Sequence, residues 1–222
     1  VEEESVEEGI EEEVEVVAIS MGPPQVDSAL REAISLGVDE AILMSDRAFA
    51  GADTLATAYT LARGIKKIGK VDVVLMGRQA IDGDTGQVGP GVAENLGLPH
   101  VTEIRKIEQI GDDGTIIVER LLEDGFVRLK SKLPILLTVV KEINEPRLPS
   151  LKGKMAAKKA EIKNWKSEDI DLDAQRIGLT GSPTQVMKIF TPPKPSGGKI
   201  FEGDVQQAVI DLLGELRSAG IP

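Results

Sequence analysis

VDVVLMGRQAIDGDTGQVGP, residues 71–90, is the stretch whose reading decides the fold. Val71 to Met76 is apolar and rich in β-branched residues, which predicts a buried strand ending at Gly77. A crossing with four glycines (Gly77, Gly83, Gly86 and Gly89) follows, and Pro90 to Leu96 reads as a helix with Gly97 beyond it. Upstream the same alternation recurs. Val14 to Ser20 predicts a strand, Gly22-Pro23-Pro24 a turn, and Asp27 to Leu36 a helix closed by Gly37. Glu40 to Ser45 predicts a second buried strand. Asp53 is a ready N-cap for a long helix, Thr54 to Ile68. Strands alternating with helices imply an α/β fold: a parallel sheet with helices on both faces. Ligands of such sheets bind outside the carboxyl ends of the strands. Three loops lie at that edge: 21–25, 46–53 and 77–90.

Downstream the period changes. Residues 101–110, 115–122, 126–130 and 135–140 read as strands, with Gly111 to Gly114 and Asp124-Gly125 as hairpin turns, a β-hairpin extension of the domain. Asn144 to Pro149 is stiffened by Pro146 and Pro149, and Ser150 to Lys159 predicts a short helix. From Gly178 onward Pro and Gly punctuate the chain, and a last amphipathic helix covers about Asp204 to Leu216. The divisions drawn from this pattern are a domain at 1–143, a short segment at 144–162 and a C-terminal arm at 163–222. An arm of that composition normally lies along its own domain or a partner.

Composition narrows the function. The apolar fraction of 41% suits a globular protein, and the absence of cysteine excludes disulfides and thiolate metal sites. A net charge of −11 excludes nucleic acid as the natural partner. The charge is uneven, with Glu2 to Glu15 densely acidic and Lys152, Lys154, Lys158 and Lys159 forming a basic island. No stretch reaches the roughly 18 apolar residues of a membrane span, and no secretory signal is visible. These features predict a cytoplasmic protein that does not enter membranes.

The residues offer no bond-making site: His100 stands alone, no metal cluster accompanies it, and the carboxylates Asp82 and Asp84 lack a nucleophile or orienting base. Trp165 and Tyr59 read as packing residues. The crossing is different. Its glycines let backbone approach a ligand, and amides near a helix start favour phosphate. It matches neither the Rossmann nor the P-loop spacing, so on its own it reads equally as a phosphate cradle or an ordinary loop.

GRQAIDGDTGQVGP at 77–90 resembles the nucleotide-binding loop of electron-transferring flavoprotein β subunits. ISMGPPQ at 19–25, NEPRLPSLKGKMAAKKAEI at 144–162 and GLTGSPTQVMKIF at 178–190 resemble further stretches of that family in the same order. The resemblance implies a Rossmann-like, adenine-nucleotide-binding α/β domain that works with a flavin-carrying α subunit. The β site of the family holds AMP in ordinary members and a second FAD in electron-bifurcating ones. Gly83, Thr85 and Val88-Gly89-Pro90, with Gly-Ser-Pro-Thr at 181–184 and the loop 46–54, look like the bifurcating version. The resemblance thus implies FAD, with AMP as the alternative.

Carried over by residue, the resemblance puts the phosphates against Asp84, Thr85, Gly86, Gln87, Val88 and Gly89, with Asp82 and Gly83 also among the cofactor-binding residues. Met21, Gly22 and Pro23 would border the adenosine, and Thr54 and Thr57 would approach a flavin ring. It implies a docking segment with Asn144, Pro146 and Arg147 leading to Leu151, an exposed anchor, and an arm wrapped on the α subunit, which carries its own FAD. The partners implied are NADH, an acyl-CoA dehydrogenase or quinone reductase, and ferredoxin or flavodoxin, with the protein an electron carrier. A stand-alone nucleotide-binding module of stress-response type is the rival from another class. The family also opens with a central strand, whereas here the acidic opening fits its first helix, with Val6, Ile10 and Val14 at helical spacing.

Overall fold

The computed structural model describes residues 14–193 and 197–221, and the chain divides into two compact units that meet in sequence at Val186 and Met187. The helix expected of Val6 and Ile10 lies outside the described residues. The first unit runs β1 (Val17–Met21), α1 (Asp27–Leu36), β2 (Glu40–Met44), α2 (Thr54–Ile68), β3 (Val73–Gly77) and α3 (Val88–Leu96). It continues through β4 (His100–Ile110), β5 (Thr115–Leu122), β6 (Gly125–Lys132), β7 (Ile135–Val139), α4 (Leu151–Lys159) and β8 (Lys163–Trp165). The second unit contains α5 (Val205–Ser218), capped by the Asp204 side chain.

The architecture is mixed α/β with parallel-containing sheets, as the alternation predicts. The strands form two sheets: β1-β2-β8, all parallel, and β3-β7-β4-β5-β6, in which β3, β7 and the start of β4 are parallel and β4-β5-β6 is an antiparallel meander. Among the described residues no strand joins them, so β1 and β3 each keep one edge without a ladder partner. Helices supply the connection. Ala58, Ala62 and Ile65 of α2 and Val92 and Ala93 of α3 pack with Ile19 of β1, Val74 and Met76 of β3 and Leu136 of β7.

Strand alternation sets the other face. Ala41 and Leu43 of β2 turn to Leu30 and Ile34 of α1, while Met44 turns to Phe49 and Tyr59. Helices therefore cover both faces of the β1-β2-β8 sheet. The meander closes its own core, in which Ile104, Ile116, Val118, Ile135 and Leu137 are fully buried.

Of the stretch 163–222, residues 163–186 pack in the first unit. β8 pairs with β2, and Ile170 and Ile177 join the core around Met44 and Tyr59. Tyr59 and Trp165 pack in that same cluster, and His100 is exposed at a strand start.

Candidate nucleotide site at the carboxyl edge

The crossing leaves β3 at Gly77 and enters α3 at Val88, two residues before the expected Pro90. Pro90 then falls in the first helical turn, where its missing N–H removes a donor that would be unsatisfied anyway. No side chain caps the start of α3. The amides of Thr85, Gly86, Val88 and Gly89 meet no acceptor among the described residues. Gly83 has open space where a side chain would stand. Free amides, glycines and a helix start make a cradle that fits a phosphate or pyrophosphate.

Carboxylates shape the crossing internally. The Asp82 carboxylate accepts from the Gly83 amide at 2.8 Å, and Gln79 donates to Asp84, which sits in the left-handed region at φ 50. Gly89 is the tightest point: a Cβ there would overlap the Thr138 methyl. Thr138 is buried, and its hydroxyl accepts from the Glu103 amide at 3.1 Å, where Glu103 sits at φ 59 beside a bulge in β4.

The structure brings Thr54 to the crossing. Its hydroxyl donates to the Gln87 side-chain oxygen at 2.9 Å, and the Gln87 NH₂ group meets no acceptor among the described residues. Thr54 does not cap its helix, because Asp53 does, accepting from Leu55 and Ala56 at 3.0 and 3.1 Å. Thr57 lies one turn on, half-buried, on the same side.

Asp53 also closes a latch that sequence reading missed. Its second oxygen accepts from the Thr184 amide and hydroxyl at 3.1 and 2.9 Å. Its amide donates to the Ser182 hydroxyl at 2.8 Å, which in turn donates to Gly178 at 2.6 Å. Burial raises the Asp53 pKa, but these four donors outweigh it and hold the carboxyl below its ordinary range. A Cβ at Gly178 would overlap the Ala48 carbonyl, so that glycine lets the latch lie flat on the 46–53 loop. The Gly-Ser-Pro-Thr motif was visible; its partner, 131 residues away, was not.

Met21, Gly22 and Pro23 line a separate cavity of about 710 Å³ at the ends of β1 and β2, roofed by the 46–52 loop. Asp46 fixes that roof. It accepts from the Ser167 hydroxyl at 2.6 Å and amide at 2.9 Å, which with the Ala48 amide bring its pKa down to about 2.

The segment 144–151 divides. Asn144 and Pro146 are exposed. Arg147 donates to the Leu36 carbonyl at the end of α1, which ties the lead-in to its own domain. Ser150 caps α4 by accepting from Gly153 at 3.0 Å, and α4 packs on α1 through buried Ala157. Arg31 braces the pair, donating to Ala157 and Ala160. Leu151 is left 77% exposed, beside Leu148 at 92% and Met155 at 53%. Among the described residues no group of side chains could hold a metal, and no helix is long and apolar enough to cross a membrane.

Parallel strands with helices packed on them, and a glycine crossing at their carboxyl edge, define a mixed α/β protein. The electron transfer flavoprotein domain family matches residues 1–170. The electron transfer flavoprotein subunit beta of Thermoanaerobacterium thermosaccharolyticum is 51% identical over 204 residues, covering 91% of this chain and 77% of its own. The caffeyl-CoA reductase-Etf complex subunit CarD of Acetobacterium woodii is 49% identical over 208 residues, with 93% and 79% covered. Protein FixA of Azorhizobium caulinodans is 44% identical over 184 residues, with 80% and 66% covered. The chain belongs to the electron transfer flavoprotein family, as a β subunit. Its class of activity is electron transfer, and the stand-alone module is set aside.

Proposed function

We propose that the 77–89 crossing holds FAD, and that this β subunit pairs with an α subunit carrying a second FAD to perform electron bifurcation. In this reading NADH is the donor. The electrons part toward ferredoxin or flavodoxin on one side and an acyl-CoA dehydrogenase or quinone reductase on the other. The observation that carries it is the set of unpartnered amides at Thr85, Gly86, Val88 and Gly89. The likeness to a subunit named for a reductase-Etf complex supports it, as does the bifurcating look of Gly83, Thr85 and Val88-Gly89-Pro90.

When bound, FAD supplies the redox chemistry. The chain's own part is to hold and orient. The crossing amides and the Thr85 hydroxyl donate to the pyrophosphate. The Gln87 NH₂ group, fixed by Thr54, donates beside them. Thr57 faces the ring side of the same helix, and Met21 to Pro23 border the adenosine.

Leu151, with Leu148 and Met155, is the anchor for the dehydrogenase, and the four lysines around it steer the encounter. Arg147 and Arg31 keep α4 in place beforehand, which lowers the ordering cost of docking. The second unit leaves Ile189, Phe190, Val205, Val209 and Ile210 exposed, a surface suited to lie on the α subunit.

The test is the cofactor count of the full-length chain co-produced with its α subunit. Two FAD per heterodimer, both reducible by NADH, are expected. One FAD with one AMP would move the protein to the ordinary electron carriers, and no adenine compound at the crossing would overturn the reading.

A further inference from the structure

Three aspartates of this chain precede a glycine: Asp82-Gly83 in the crossing, Asp113-Gly114 between β4 and β5, and Asp124-Gly125 between β5 and β6. Such a pair can close on itself, because glycine has no side chain to keep its amide nitrogen from the neighbouring carboxyl carbon. The fold decides which pair is free to do so.

Two of the three are held. The Gly114 amide donates to the Gly111 carbonyl at 2.9 Å, and the Asp113 oxygens accept from the Thr115 amide at 3.0 Å and hydroxyl at 2.7 Å. The Thr115 hydroxyl and amide also keep the Asp113 carboxyl below its ordinary range, away from the neutral form that loses water. Gly125 already belongs to β6 and pairs with Leu122, so its backbone cannot turn without opening the hairpin. Asp82-Gly83 has neither restraint. Both residues are exposed, and a Cβ on Gly83 would meet nothing. Among the described residues the Gly83 amide has one acceptor, the Asp82 carboxylate at 2.8 Å. Nitrogen and carboxyl are already in contact, and the carbon open to attack lies one bond beyond that oxygen.

We infer that Asp82-Gly83 is a site of spontaneous backbone modification, converting through a succinimide to isoaspartate. The Gly83 nitrogen bonds to the side-chain carboxyl carbon of Asp82, and the carboxyl hydroxyl leaves with the amide proton as water. Solvent water then opens the ring. Attack at the side-chain carbon restores aspartate. Attack at the main-chain carbon leaves the chain running through the side chain, one CH₂ longer, with a free α-carboxylate. No oxidant or reductant takes part.

The Asp84 amide donates to the Ala80 carbonyl at 3.0 Å, closing a turn with Asp82 and Gly83 inside it. An extra CH₂ within that turn breaks the bond and displaces Asp84, held at φ 50, together with the amides of Thr85 and Gly86. The effect on the cofactor rests on the function proposed for the crossing. An occupied crossing is stiffened by the phosphates and ages slowly, whereas an empty one converts and can no longer be filled.

The experiment stores the full-length heterodimer at neutral pH in three forms: loaded, stripped of cofactor, and stripped then resupplied with FAD. The tryptic peptides carrying Asp82, Asp113 and Asp124 are mapped by mass spectrometry. A succinimide is lighter by one water, and electron-transfer fragmentation separates isoaspartate from aspartate. In the stripped complex isoaspartate at 82 is expected to exceed that at 113 or 124 about ten-fold. Where stripping unfolds the complex, the loaded form, stored longer, decides by the same ranking. Asp82→Glu, which must close a larger ring, and Gly83→Ala, which fits the open space and keeps the carboxylate, are each expected to suppress conversion at 82. Equal conversion at the three sites, or more at 113 or 124, overturns the inference. Resupplied FAD is expected to slow conversion at 82 several-fold and to leave 113 and 124 unchanged. If FAD has no such effect while 82 still leads, the modification stands and the function proposed for the crossing fails.

Discussion

The Asp53 latch and the 77–89 crossing lie side by side at the carboxyl edge of the fold, and they treat their polar groups in opposite ways. In the latch each oxygen of Asp53 accepts twice, and the Ser182 hydroxyl both accepts and donates. In the crossing the amides that begin α3 are unpartnered, and most of the loop is exposed. Unsatisfied donors are costly unless water or a ligand meets them. The contrast therefore separates a scaffold, complete by itself, from a site completed by something added.

Breaking the latch and breaking the crossing should give different signatures. The largest effect is expected from Gly89→Val, which drives a branched side chain into Thr138 at the α3 start. Overpacking of this kind costs about 2 kcal/mol or more, a fall of roughly 4–8 °C in Tm, together with loss of the bound nucleotide. Differential scanning calorimetry with a cofactor count checks both. Asp53→Ala removes a helix cap and strands Thr184, so a loss of about 1–3 kcal/mol is expected with the crossing amides untouched. Urea midpoints measure it, and a stability as high as wild type would mean that the latch does not stabilise the fold.

Thr54→Val should sharpen the comparison. It frees Gln87 at little cost to stability, within about 1 kcal/mol, yet should weaken nucleotide retention several-fold. Retention is measured by dialysis against free cofactor.

The smallest effect is on pH dependence. The Asp46 carboxyl is lowered from 3.8 to about 2 by the Ser167 hydroxyl and amide and by Ala48. A lowered carboxyl contributes stability above its unfolded pKa and loses it as pH falls through the folded one. Asp46→Asn should therefore lower stability above about pH 4 and flatten the acid limb between about pH 4 and pH 2, where the wild type loses that contribution. An acid limb identical to wild type would mean that Asp46 does not hold the roof.

The local marks of this fold were legible and the distant ones were not. Asp53 as the cap of α2, Gly37 and Gly97 at the ends of α1 and α3, and the turns of the meander all follow from residues next to one another in sequence. Sequence placed the crossing for the same reason, since glycines between a strand and a helix signal themselves. It missed β8, which has three residues, Lys163 to Trp165, too few and too polar to show a period. Which strands pair within each sheet was not legible, because pairing is a long-range choice that an apolar run does not encode. The bond from Arg147 to the Leu36 carbonyl, spanning 111 residues, was likewise not legible. Leu151 without the resemblance reads as helix packing, yet it is exposed because α4 turns Ala157 to α1 instead.

Thr138 serves two neighbours at once, its methyl filling the space above Gly89 and its hydroxyl holding the unusual backbone at Glu103. Positions 89 and 138 can accordingly change only as a pair. Thr138→Ser keeps the hydroxyl and vacates the methyl, so alanine at 89 should be admitted in its company and refused alone. Across descendants of this chain the two positions should drift together, and a residue swapped at either one records what the other has become.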